Sequence, residues 1–539
     1  MTTTLYRGGR VYSTAEPFAT ALVVDGEQIA WVGSDAAADV HADGVDSVVE
    51  LDDAFVAPAF VDAHVHVTST GLHLSGLDLS KAATLGEALD LVERNSRKVR
   101  GGVVLGHGWD ETRWPEARPP RRDELDRASY GGVVYLSRVD VHSCVASSAL
   151  MALAPEVNTT AGYSSDGWLS QQAHHVVRRI ALDSVTTQQR RAAQDVCLQH
   201  AASLGIGMVH ELGGPEISSA DDFEDLLASV GPASGLDVIG YWGEGGGPAV
   251  AVSLGATGAA GDHFVDGAIG SRTAFLREPY ADAPTQGASY TTAAVIRDHV
   301  VACSRAGIQA GYHVIGDGAM DLVVGGFREA AEAIGDDVIR AGNHRLEHVE
   351  MVDDDAQTLL ARLGVLASVQ PVFDALWGGD SGMYRERLGI ERARTLNPLA
   401  SMQRAGIPFA FGSDAPVTPL APWAALRAAT HHHQSSQRLT ARAAFTAHTR
   451  GGWRAAGRRG GTLAPGERAN LAIWQSDELV VETPDDRVSG WSTDPRAAVP
   501  GLPPLSADAA DPVCLRTIVG GRTVYSSDAV RPHNAGSTP

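Results

Sequence analysis

Two histidines flank one valine at the end of an apolar segment, in the stretch FVAPAFVDAHVHV (55–67). Side chains alternate between the two faces of a strand, so His64 and His66 point to one side while Val65 points into the packed interior. Two imidazoles on one face, just beyond a buried strand, make half of a metal site. Because so short a pattern also arises by chance, the remaining ligands have to come from elsewhere in the chain.

Metal-binding residue types follow other apolar segments as well, in GYHVIGD (311–317), HRLEH (344–348) and FGSDAP (411–416). In a barrel of parallel strands the active site is built at the carboxyl ends of the strands, where such residues meet. Imidazole and carboxylate groups suit Zn²⁺ or a similar borderline ion, so we predict a divalent metal centre there. The candidate ligands at these strand ends are His64, His66, His313, His348 and Asp414.

The elements that must position these residues are indicated by a repeated joint. A helical segment ends in Leu or Ala, a glycine follows, and a β-branched residue opens an apolar strand, at Gly205, Gly307, Gly364 and Gly406. Glycine suits the residue after a helix, where a positive φ costs it nothing. Recurring joints of this kind indicate a parallel α/β sheet, and eight units predict a (β/α)₈ barrel with insertions. The predicted strands are one ending at 64–66 and those at 207–210, 236–241, 263–265, 308–313, 343–348, 365–370 and 407–412.

Both ends of the chain are rich in short apolar segments separated by Asp-Gly or Gly-Gly turns, which predict β-hairpins. We predict a small β-sandwich domain built from residues 1–57 and 455–525, flanking a barrel domain at 58–454. An insertion without regular βα units is predicted at about 68–187. The polar tail at 526–539 is predicted to be disordered.

The composition excludes several function classes. The 539 residues carry 43 Lys and Arg against 65 Asp and Glu, a formal net charge of −22. This charge argues against binding to nucleic acid and to an anionic membrane surface. No stretch approaches 18 uninterrupted apolar residues and no signal peptide is evident, so a soluble cytoplasmic protein is expected. The four cysteines lack CxxC spacing and are predicted to be buried free thiols.

Longer phrases join the candidate ligands, and they include AFVDAHVHV (59–67), GAIGSRTA (267–274), HVIGDGA (313–319), HRLEHVE (344–350) and FGSDAPV (411–417). With these phrases the chain resembles the amidohydrolase superfamily over nearly its whole length. The resemblance is to the amidohydrolase-3 branch, with its YtcJ-like and N-substituted formamide deformylase-like proteins. It implies a metallo-hydrolase barrel with a flanking β-sandwich, and it implies that the five candidates are metal ligands.

One departure from that branch lies four residues before Asp266-Gly267. Many relatives have a lysine there whose carbamate bridges two metal ions, whereas this chain has Asp262. Lys81 and Lys98 are the only lysines, and both fall in the insertion. Asp262 is therefore a candidate ligand as a plain carboxylate, and His263 points to the other face. One ion and two ions bridged by Asp262 both remain open, and the shorter reach of a carboxylate favours one.

The resemblance also implies candidates for substrate binding, for each of which a structural role is an equally good interpretation. These are His142, His210, Arg272, Gln370, Trp109 and Asp110. The three consecutive histidines at 431–433 are predicted instead to be a solvated patch on a helix that follows Pro422.

These observations predict a metal-dependent amidohydrolase that cleaves a non-peptide C–N bond in an amide, an N-formyl group or a cyclic amide. The ion, expected to be Zn²⁺, lowers the pKa of a bound water towards ~7, and the resulting hydroxide attacks the polarised carbonyl. Asp414 is expected to take the proton from this water and pass it to the leaving nitrogen. The alternatives are a non-catalytic binding or regulatory relative and a hydrolase of esters or lactones. The expected partner is a small-molecule substrate of unspecified identity, and a homo-oligomer is left open.

Overall fold

The structure is a computed structural model that describes residues 2–42, 44–138, 143–481 and 500–527. The chain divides into two compact units. The larger comprises Met1–His66 and Leu198–Pro539, and the smaller is Val67–Cys197. No helix of the described residues is long and apolar enough to cross a membrane. The four cysteines are buried free thiols, as predicted.

Short strands alternate with helices over most of the described chain. The strands are β1 (Thr3–Arg7), β2 (Arg10–Val11), β3 (Ala21–Asp25), β4 (Gln28–Gly33), β5 (Ser47–Glu50), β6 (Phe55–Pro58), β7 (Phe60–Val65), β8 (Leu77–Asp78), β9 (Val104–Trp109), β10 (Val134–Arg138), β11 (Ser143–Ala146), β12 (Trp168–Ser170), β13 (Ile206–Gly213), β14 (Asp237–Trp242), β15 (Gly258–Ala259), β16 (Gln309–Val314), β17 (Arg345–His348), β18 (Leu366–Val369), β19 (Phe409–Phe411), β20 (Leu471–Gln475), β21 (Val513–Val519) and β22 (Arg522–Ser526). The helices are α1 (Asp35–Ala42), α2 (Val67–Ser75), α3 (Leu85–Val99), α4 (Arg122–Ala128), α5 (Ser148–Leu153), α6 (Gln171–Asp183), α7 (Thr187–Ser203), α8 (Ala220–Asp225), α9 (Gly231–Ser234), α10 (Ala249–Ser253), α11 (Ala293–Ala306), α12 (Asp317–Ile334), α13 (Asp336–Ala341), α14 (Asp354–Leu363), α15 (Pro371–Trp377), α16 (Met383–Leu388), α17 (Ile390–Ala393), α18 (Leu399–Ala405), α19 (Pro422–Thr430), α20 (Ala441–Thr446) and α21 (Gly452–Ala455). Short 3₁₀ or π segments lie at Glu111–Arg113, Pro155–Thr159, Leu226–Val230, Ser435–Gln437 and Ala447–Gly451.

Eight strands of the larger unit pair in parallel in the order β7, β13, β14, β15, β16, β17, β18 and β19. A parallel bridge between Val65 and Ala415 joins the first strand to the segment after the last, so the sheet is nearly closed. The (β/α)₈ barrel predicted from the sequence is confirmed. Its strands are buried on both faces, which is why β7 and β16 read as apolar segments rather than as alternating ones.

The glycine joints lie where the pattern placed them. Gly205, Gly307, Gly364 and Gly406 have φ values of 72°, 69°, 67° and 83°, all in the left-handed region. Gly307 and Gly364 end α11 and α14, and their amides bond to carbonyls of the last helical turn. Each joint therefore stops a helix and starts the next barrel strand without the steric cost that a Cβ would carry.

The fourth barrel strand differs from its prediction. It was expected at 263–265, but β15 consists of Gly258–Ala259, which pair with Gln309 and Ala310. Gly261, at φ 96°, turns the chain after this strand, and Phe264 keeps only one bridge to His313. The prediction was wrong because a strand of small residues has no apolar pattern to find. Asp262 consequently lies in the loop after the strand, not within it.

Strands from both ends of the chain pair with each other in the order β2, β6, β20, β21, β22, and β4, β3, β1 and β5 form a second sheet. In the first sheet, Leu471 of β20 pairs antiparallel with Pro58 of β6. One buried apolar cluster includes Leu22, Val56 and Ile518, so it draws on both termini. We propose on this basis that the two ends fold as one β-domain. Of the predicted disordered tail, Ser526 ends β22 and residues 528–539 lie outside the described residues.

The smaller unit has its own sheet, in the order β12, β11, β10, β9, β8, with helices that include α3 and α6. Its buried clusters contain Trp109, Leu136, Cys144 and Leu169. The sequence showed no regular βα units here because the pairing is mixed: β9 runs parallel to β10, whereas β11 runs antiparallel to it. Mixed short strands lack the helix–glycine–strand joint that marked the barrel.

Candidate metal centre

Six metal-binding side chains converge at the carboxyl ends of the barrel strands, and each is at most 8% exposed. They are His64 and His66 at the end of β7, Asp262 after β15, His313 in β16, His348 at the end of β17, and Asp414 after β19. His263, beside Asp262, stacks on Tyr312 with ring centroids 4.5 Å apart and belongs to different packing. The chain thus brings together all six predicted ligand residues.

Two carboxylates lie among the four imidazoles. Asp414 Oδ1 is 3.3 Å from His64 Nε2 and 3.2 Å from His66 Nε2. Asp262 Oδ2 is 3.2 Å from His66 Nε2, and its Oδ1 is 3.6 Å from both His64 Nε2 and His313 Nδ1. The same Oδ1 is 3.9 Å from His348 Nε2. Ligand atoms of His64, His66 and Asp414 lie within 4.8 Å of one another, as do those of His64, Asp262 and His348.

The outer ring nitrogen of each histidine faces an oxygen acceptor. The contacts are His64 Nδ1 to Glu347 Oε2 (2.9 Å), His66 Nδ1 to the Leu212 carbonyl (3.0 Å), His348 Nδ1 to Gln370 Oε1 (2.9 Å) and His313 Nε2 to the Gly267 carbonyl (3.4 Å). An acceptor at one ring nitrogen keeps the proton on that nitrogen. The lone pair of the opposite nitrogen is then free for a metal ion.

Three buried polar atoms in this cluster have no hydrogen-bond partner within the described part of the chain: His64 Nε2, His313 Nδ1 and Asp262 Oδ1. Buried polar atoms in native proteins nearly always have partners, so a bound group is expected to contact these three atoms. A donor set of imidazole nitrogens and carboxylate oxygens matches a divalent ion such as Zn²⁺. The residues present therefore fit a bound divalent metal ion.

Protons compete with a metal ion for these ligands. Burial opposes charge on His66, but hydrogen bonds to Asp262 and Asp414 raise the pKa of this imidazole to about 10. Burial lowers the pKa of His348 to about 4, and the neighbouring charge of His313 adds to that effect. Burial would also raise the pKa of Asp262, but the nearby imidazole of His64 holds it well below its usual range. Because metal ligands must be deprotonated, metal affinity is expected to fall in acid.

A buried ion pair supports His64 from inside the barrel. Arg345 and Glu347 are fully buried, with Arg345 Nε 2.6 Å from Glu347 Oε1. Arg345 Nη2 also donates to the Ala63 carbonyl at 2.7 Å, and its guanidinium lies 4.2 Å from the Tyr241 ring centroid. Burial opposes ionisation of Glu347, yet Arg345 lowers the pKa of this carboxyl to about 2. In the sequence, the pattern that could have indicated this ion pair is the presence of two opposite charges, Arg345 and Glu347, at alternate positions of one buried strand.

The backbone at two candidate ligands is unusual. Asp414 has φ 56° and His348 has φ 71°, in the left-handed region that residues other than glycine rarely adopt. The amide of Asp414 donates to the His64 carbonyl at 2.8 Å, which holds the loop after β19 against β7. Asp62 Oδ1 adds to this link by accepting from the amides of His64 and Ser413. Such conformations persist where surrounding contacts enforce them, as they do in functional sites.

Two of the candidates for substrate binding make structural contacts beside the centre, which is the alternative interpretation given for them. Gln370 bonds to His348, as described above, and thereby orients a candidate ligand. His210 lies within the barrel, where its Nδ1 accepts from Arg345 Nη1 at 3.1 Å. A structural role was an open interpretation for both residues, but their partners were not predicted, because these contacts join separate segments of the chain. Only the folded barrel brings them into contact.

The other predicted substrate contacts have different surroundings. Arg272 forms an ion pair with Asp282, with Nη2 2.6 Å from Oδ2, which is the structural alternative considered for this residue. In the smaller unit, the indole N–H of Trp109 donates to the Leu136 carbonyl and the ring is fully buried. The partly exposed Asp110 has its Oδ1 3.6 Å from Arg138 Nη2. His142 lies outside the described residues, and substrate contact remains a prediction for this group.

The prediction of a solvated patch on a helix at 431–433 was wrong for His432 and for the helix, whereas His431 and His433 are exposed. Helix α19 ends at Thr430, before the first of them. His432 is 1% exposed, with its Nε2 3.5 Å from Asp374 Oδ1, and His433 Nδ1 is 3.0 Å from Asp374 Oδ2. Nothing in the triplet itself distinguishes a buried imidazole from a solvated one, so the burial of His432 depends on the segments that pack against it.

The chain matches the model of the amidohydrolase family over residues 47–525. It is 26% identical to protein LONG AFTER FAR-RED 3 of Arabidopsis thaliana, over 85% of this chain and 84% of that protein. It is 25% identical to the amidohydrolase-type protein YtcJ of Bacillus subtilis (strain 168), over 72% and 75%, and 23% identical to N-substituted formamide deformylase of Arthrobacter pascens, over 86% and 91%. An uncharacterized metal-dependent hydrolase from Pyrococcus furiosus superposes with a TM-score of 0.74 at 25% identity, over 87% of this chain and 98% of that one.

Proposed function

The chain belongs to the amidohydrolase family, and from this premise we propose that it is a metal-dependent hydrolase of a non-peptide C–N bond. The proposed substrates are amides, N-formyl compounds and cyclic amides. The observation that carries the proposal is the cluster of four imidazoles and two carboxylates with unpartnered inner atoms. The similarity to N-substituted formamide deformylase supports the choice of bond.

The residues that would hold the ion are His64, His66, His313, His348, Asp414 and Asp262. A divalent ion bound there supplies an acidified water and a Lewis acid for the substrate carbonyl. The chain positions these ligands itself. Glu347 and Gln370 each hold one imidazole by its outer nitrogen, and the barrel strands fix the others. Burial keeps bulk water away from the cluster, which strengthens each of these electrostatic contacts.

Asp414 is the proposed proton carrier. Burial opposes its ionisation, but His64 and His66 hold the pKa of this carboxyl below its usual range, so it is ionised at neutral pH and free to accept a proton. Its backbone is fixed by the bond from its amide to the His64 carbonyl. We propose that the Asp414 carboxylate takes a proton from the attacking water and returns it to the leaving nitrogen.

We propose that the cluster holds one ion. The distances between ligand atoms given above run from 3.2 to 3.9 Å. Ligand atoms that each lie about 2.1 Å from one ion are separated by roughly 3.0 to 3.4 Å, so this carboxylate–imidazole spacing would suit shared ligation of one ion. The two possible ligand groups also share His64, whose one inner nitrogen serves one ion.

Zinc analysis of the purified chain after reconstitution tests the metal, and a substrate panel tests the bond. We expect about one equivalent of zinc and turnover of N-formyl amines, N-acyl amines or cyclic amides, with slower turnover of matched esters and lactones. A chain that binds no stoichiometric metal would refute the metal centre. A chain that binds metal but hydrolyses only esters or lactones would refute the choice of a C–N bond.

The ion count has a separate test in Asp262→Asn. We expect the wild type to bind one equivalent, and the variant to keep one equivalent at about 10- to 100-fold lower affinity, because five of the six ligands remain. The measurement is metal content with competitive chelator titration. Two equivalents in the wild type, falling to one in the variant, would show instead that Asp262 bridges two ions.

A further inference from the structure

A cavity of about 810 Å³ lies at the end of the barrel opposite the metal centre. Its wall includes Ile407, Pro408 and Phe409, which lead into and begin β19, whereas Asp414 follows the end of that strand. The Ala455 carbonyl of α21, close by, accepts hydrogen bonds from Tyr241 Oη (3.1 Å) and from Gln309 Nε2 at the start of β16 (3.0 Å). The cavity is therefore a separate site under the amino ends of the strands.

Four arginines line this cavity, which we call the arginine cavity: Arg450, Arg454, Arg458 and Arg459. All four are exposed, and within the described part of the chain none has a carboxylate oxygen within 4.0 Å of its guanidinium. Glu467 is the one acidic residue in the lining. In a chain with 65 acidic and 43 basic residues, four cations beside one acid leave a local excess of positive charge.

The arginines are spaced so that they repel one another. Arg450, Arg454 and Arg458 are four residues apart, and the first two lie on consecutive helical segments, Ala447–Gly451 and Gly452–Ala455. Like charges at this spacing are unfavourable on a helix. An anion bound between them would remove the repulsion, and the planar guanidinium is well suited to phosphate and carboxylate groups.

The loop at 457–462 is built to hold its two arginines beside the helix. A Cβ at Gly460 would lie 2.5 Å from the Trp453 ring, and a Cβ at Gly461 would lie 2.6 Å from the Arg450 amide. Glycine therefore allows a close approach that other residues would prevent. Among the hydrogen bonds of the described residues, none is donated by the amides of 459–462, so these amides are also free to face an anion.

We propose that the arginine cavity binds a small organic polyanion that carries two or more phosphate or carboxylate groups. The volume lies within the range of small-molecule pockets, which is about 300–1,000 Å³. Ile407, Pro408 and Phe409 supply an apolar wall for the carbon skeleton, while the four guanidinium groups supply the charge. The net charge of −22 disfavours nucleic acid as the occupant, because a long polyanion would meet acidic surface beyond the cavity.

Calorimetric titration of the full, zinc-loaded chain tests this proposal with two weakly chelating probes. Fructose 1,6-bisphosphate represents phosphate groups, and propane-1,2,3-tricarboxylate represents carboxylates. We expect saturable binding of at least one probe, at one site per chain, and the tighter probe identifies the anionic group. Zinc content is measured before and after titration, so that loss of metal is not mistaken for binding.

Variants locate the binding. Arg458→Gln with Arg459→Gln is expected to weaken binding by at least about tenfold, and Arg450→Gln alone by a smaller factor. The matched control, Arg328→Gln with Arg404→Gln, removes the same charge from exposed arginines outside the cavity and is expected to change affinity by less than about twofold. Thermal melting verifies that each variant is folded, and the single variant provides the test if the double variant is not.

Three results would overturn the proposal. The first is that neither probe shows saturable binding below about 1 mM. The second is that the control variant loses as much affinity as the cavity variants. The third is that a single-stranded RNA oligonucleotide binds more tightly than both probes and loses its affinity in the double variant, which would assign the cavity to nucleic acid.

Discussion

At the carboxyl end of the barrel strands the charged side chains are buried beside opposite charges. At the amino end, by contrast, the arginines are exposed and have no carboxylate partner among the described residues. Arg345 and Glu347 have no solvent exposure and form a buried pair, with the aspartates close to the imidazoles. In the arginine cavity, four guanidinium groups have no such partner among the described residues. A buried charge has to be neutralised within the fold, while an exposed one is left to water, salt or a ligand.

The difference predicts opposite responses to mutation. Removing a charge near the metal centre leaves its partner buried and alone, so stability and metal binding should both suffer. Removing a charge from the arginine cavity relieves repulsion, so stability should hold or rise. The four predictions below test this contrast in order of decreasing effect.

The largest effect is expected from Asp414→Asn. The amide keeps one oxygen near the imidazoles but cannot take up a proton as the carboxylate does, so kcat at saturating zinc should fall by about 10³-fold or more, and metal affinity should fall as well. Asp374→Asn is the matched control, since Asp374 also lies beside two imidazoles, His432 and His433, outside the candidate ligand set. If Asp414→Asn retained activity within tenfold of wild type, the proton-carrier role would be wrong.

Glu347→Gln should destabilise the fold strongly. The variant leaves the guanidinium of Arg345 buried without its counter-charge, which costs about 3–5 kcal/mol in the free energy of unfolding. Loss of a carboxylate behind a ligating imidazole also lowers metal affinity by about 10- to 100-fold. Chemical denaturation and chelator competition measure the two effects. In the double variant Arg345→Met with Glu347→Met, the free energy of unfolding should recover while metal affinity stays low. If stability and metal affinity recovered together, or if neither recovered, the prediction would be wrong.

His448 predicts how stability depends on pH. It is buried, its Nδ1–H donates to the Val61 carbonyl at 2.9 Å, and burial lowers the pKa of this imidazole to about 4. The unfolded chain binds a proton near pH 6.5 and the folded chain near pH 4, so the stabilising contribution is complete above pH 6.5. As the pH falls towards 4, the free energy of unfolding loses this contribution, which is about 3 kcal/mol in total.

The check for His448 is a set of denaturation curves between pH 4 and 7, within the window of these two pKa values. The difference in stability between wild type and His448→Gln should shrink as the pH falls. His431→Gln, which changes an exposed histidine, is the control and should leave the slope as it is. A wild type and a His448 variant with parallel pH profiles would disprove the prediction.

The smallest effect is expected at the arginine cavity. Arg454→Gln removes one of the like charges spaced four residues apart, so it should raise the free energy of unfolding by about 0.2–0.5 kcal/mol at low salt. The gain should vanish at high ionic strength, since salt screens exposed charges. Denaturation at two salt concentrations measures it. A loss of more than about 1 kcal/mol would mean that Arg454 has a stabilising partner and would remove the contrast between the two ends.

The parts of the fold that the sequence predicted are those marked by short local sequence patterns. The glycine joints marked helix ends correctly, because a left-handed residue after a helix is a local requirement. The fourth strand was misplaced, because Gly258–Ala259 contain no β-branched or aromatic residue and are recognised only by their pairing with Gln309 and Ala310. The sheet of the smaller unit was missed because its mixed pairing follows no repeating unit.

The candidate site divides in the same way. Its six candidate ligands were found because they lie at or just after strand ends, which meet in a parallel barrel whatever the loops between them contain. The contacts that hold them were not found. Glu347 reaches His64 across 283 residues, and Gln370 reaches His348 from the next strand. The buried His432 directly follows the exposed His431, and the residue type alone does not tell them apart.

The sequence by itself determined the barrel, the candidate metal ligands at its strand ends and the presence of Asp262 where the resemblance implies a lysine, because each depends on residue type and local spacing. Only the tertiary structure decided which oxygen accepts from each imidazole, that Arg345 lies beneath the centre, and that four arginines share one cavity with a single glutamate. Those features depend on distances between segments far apart in the chain. Burial and charge compensation are properties of the packed fold, and no local pattern records them.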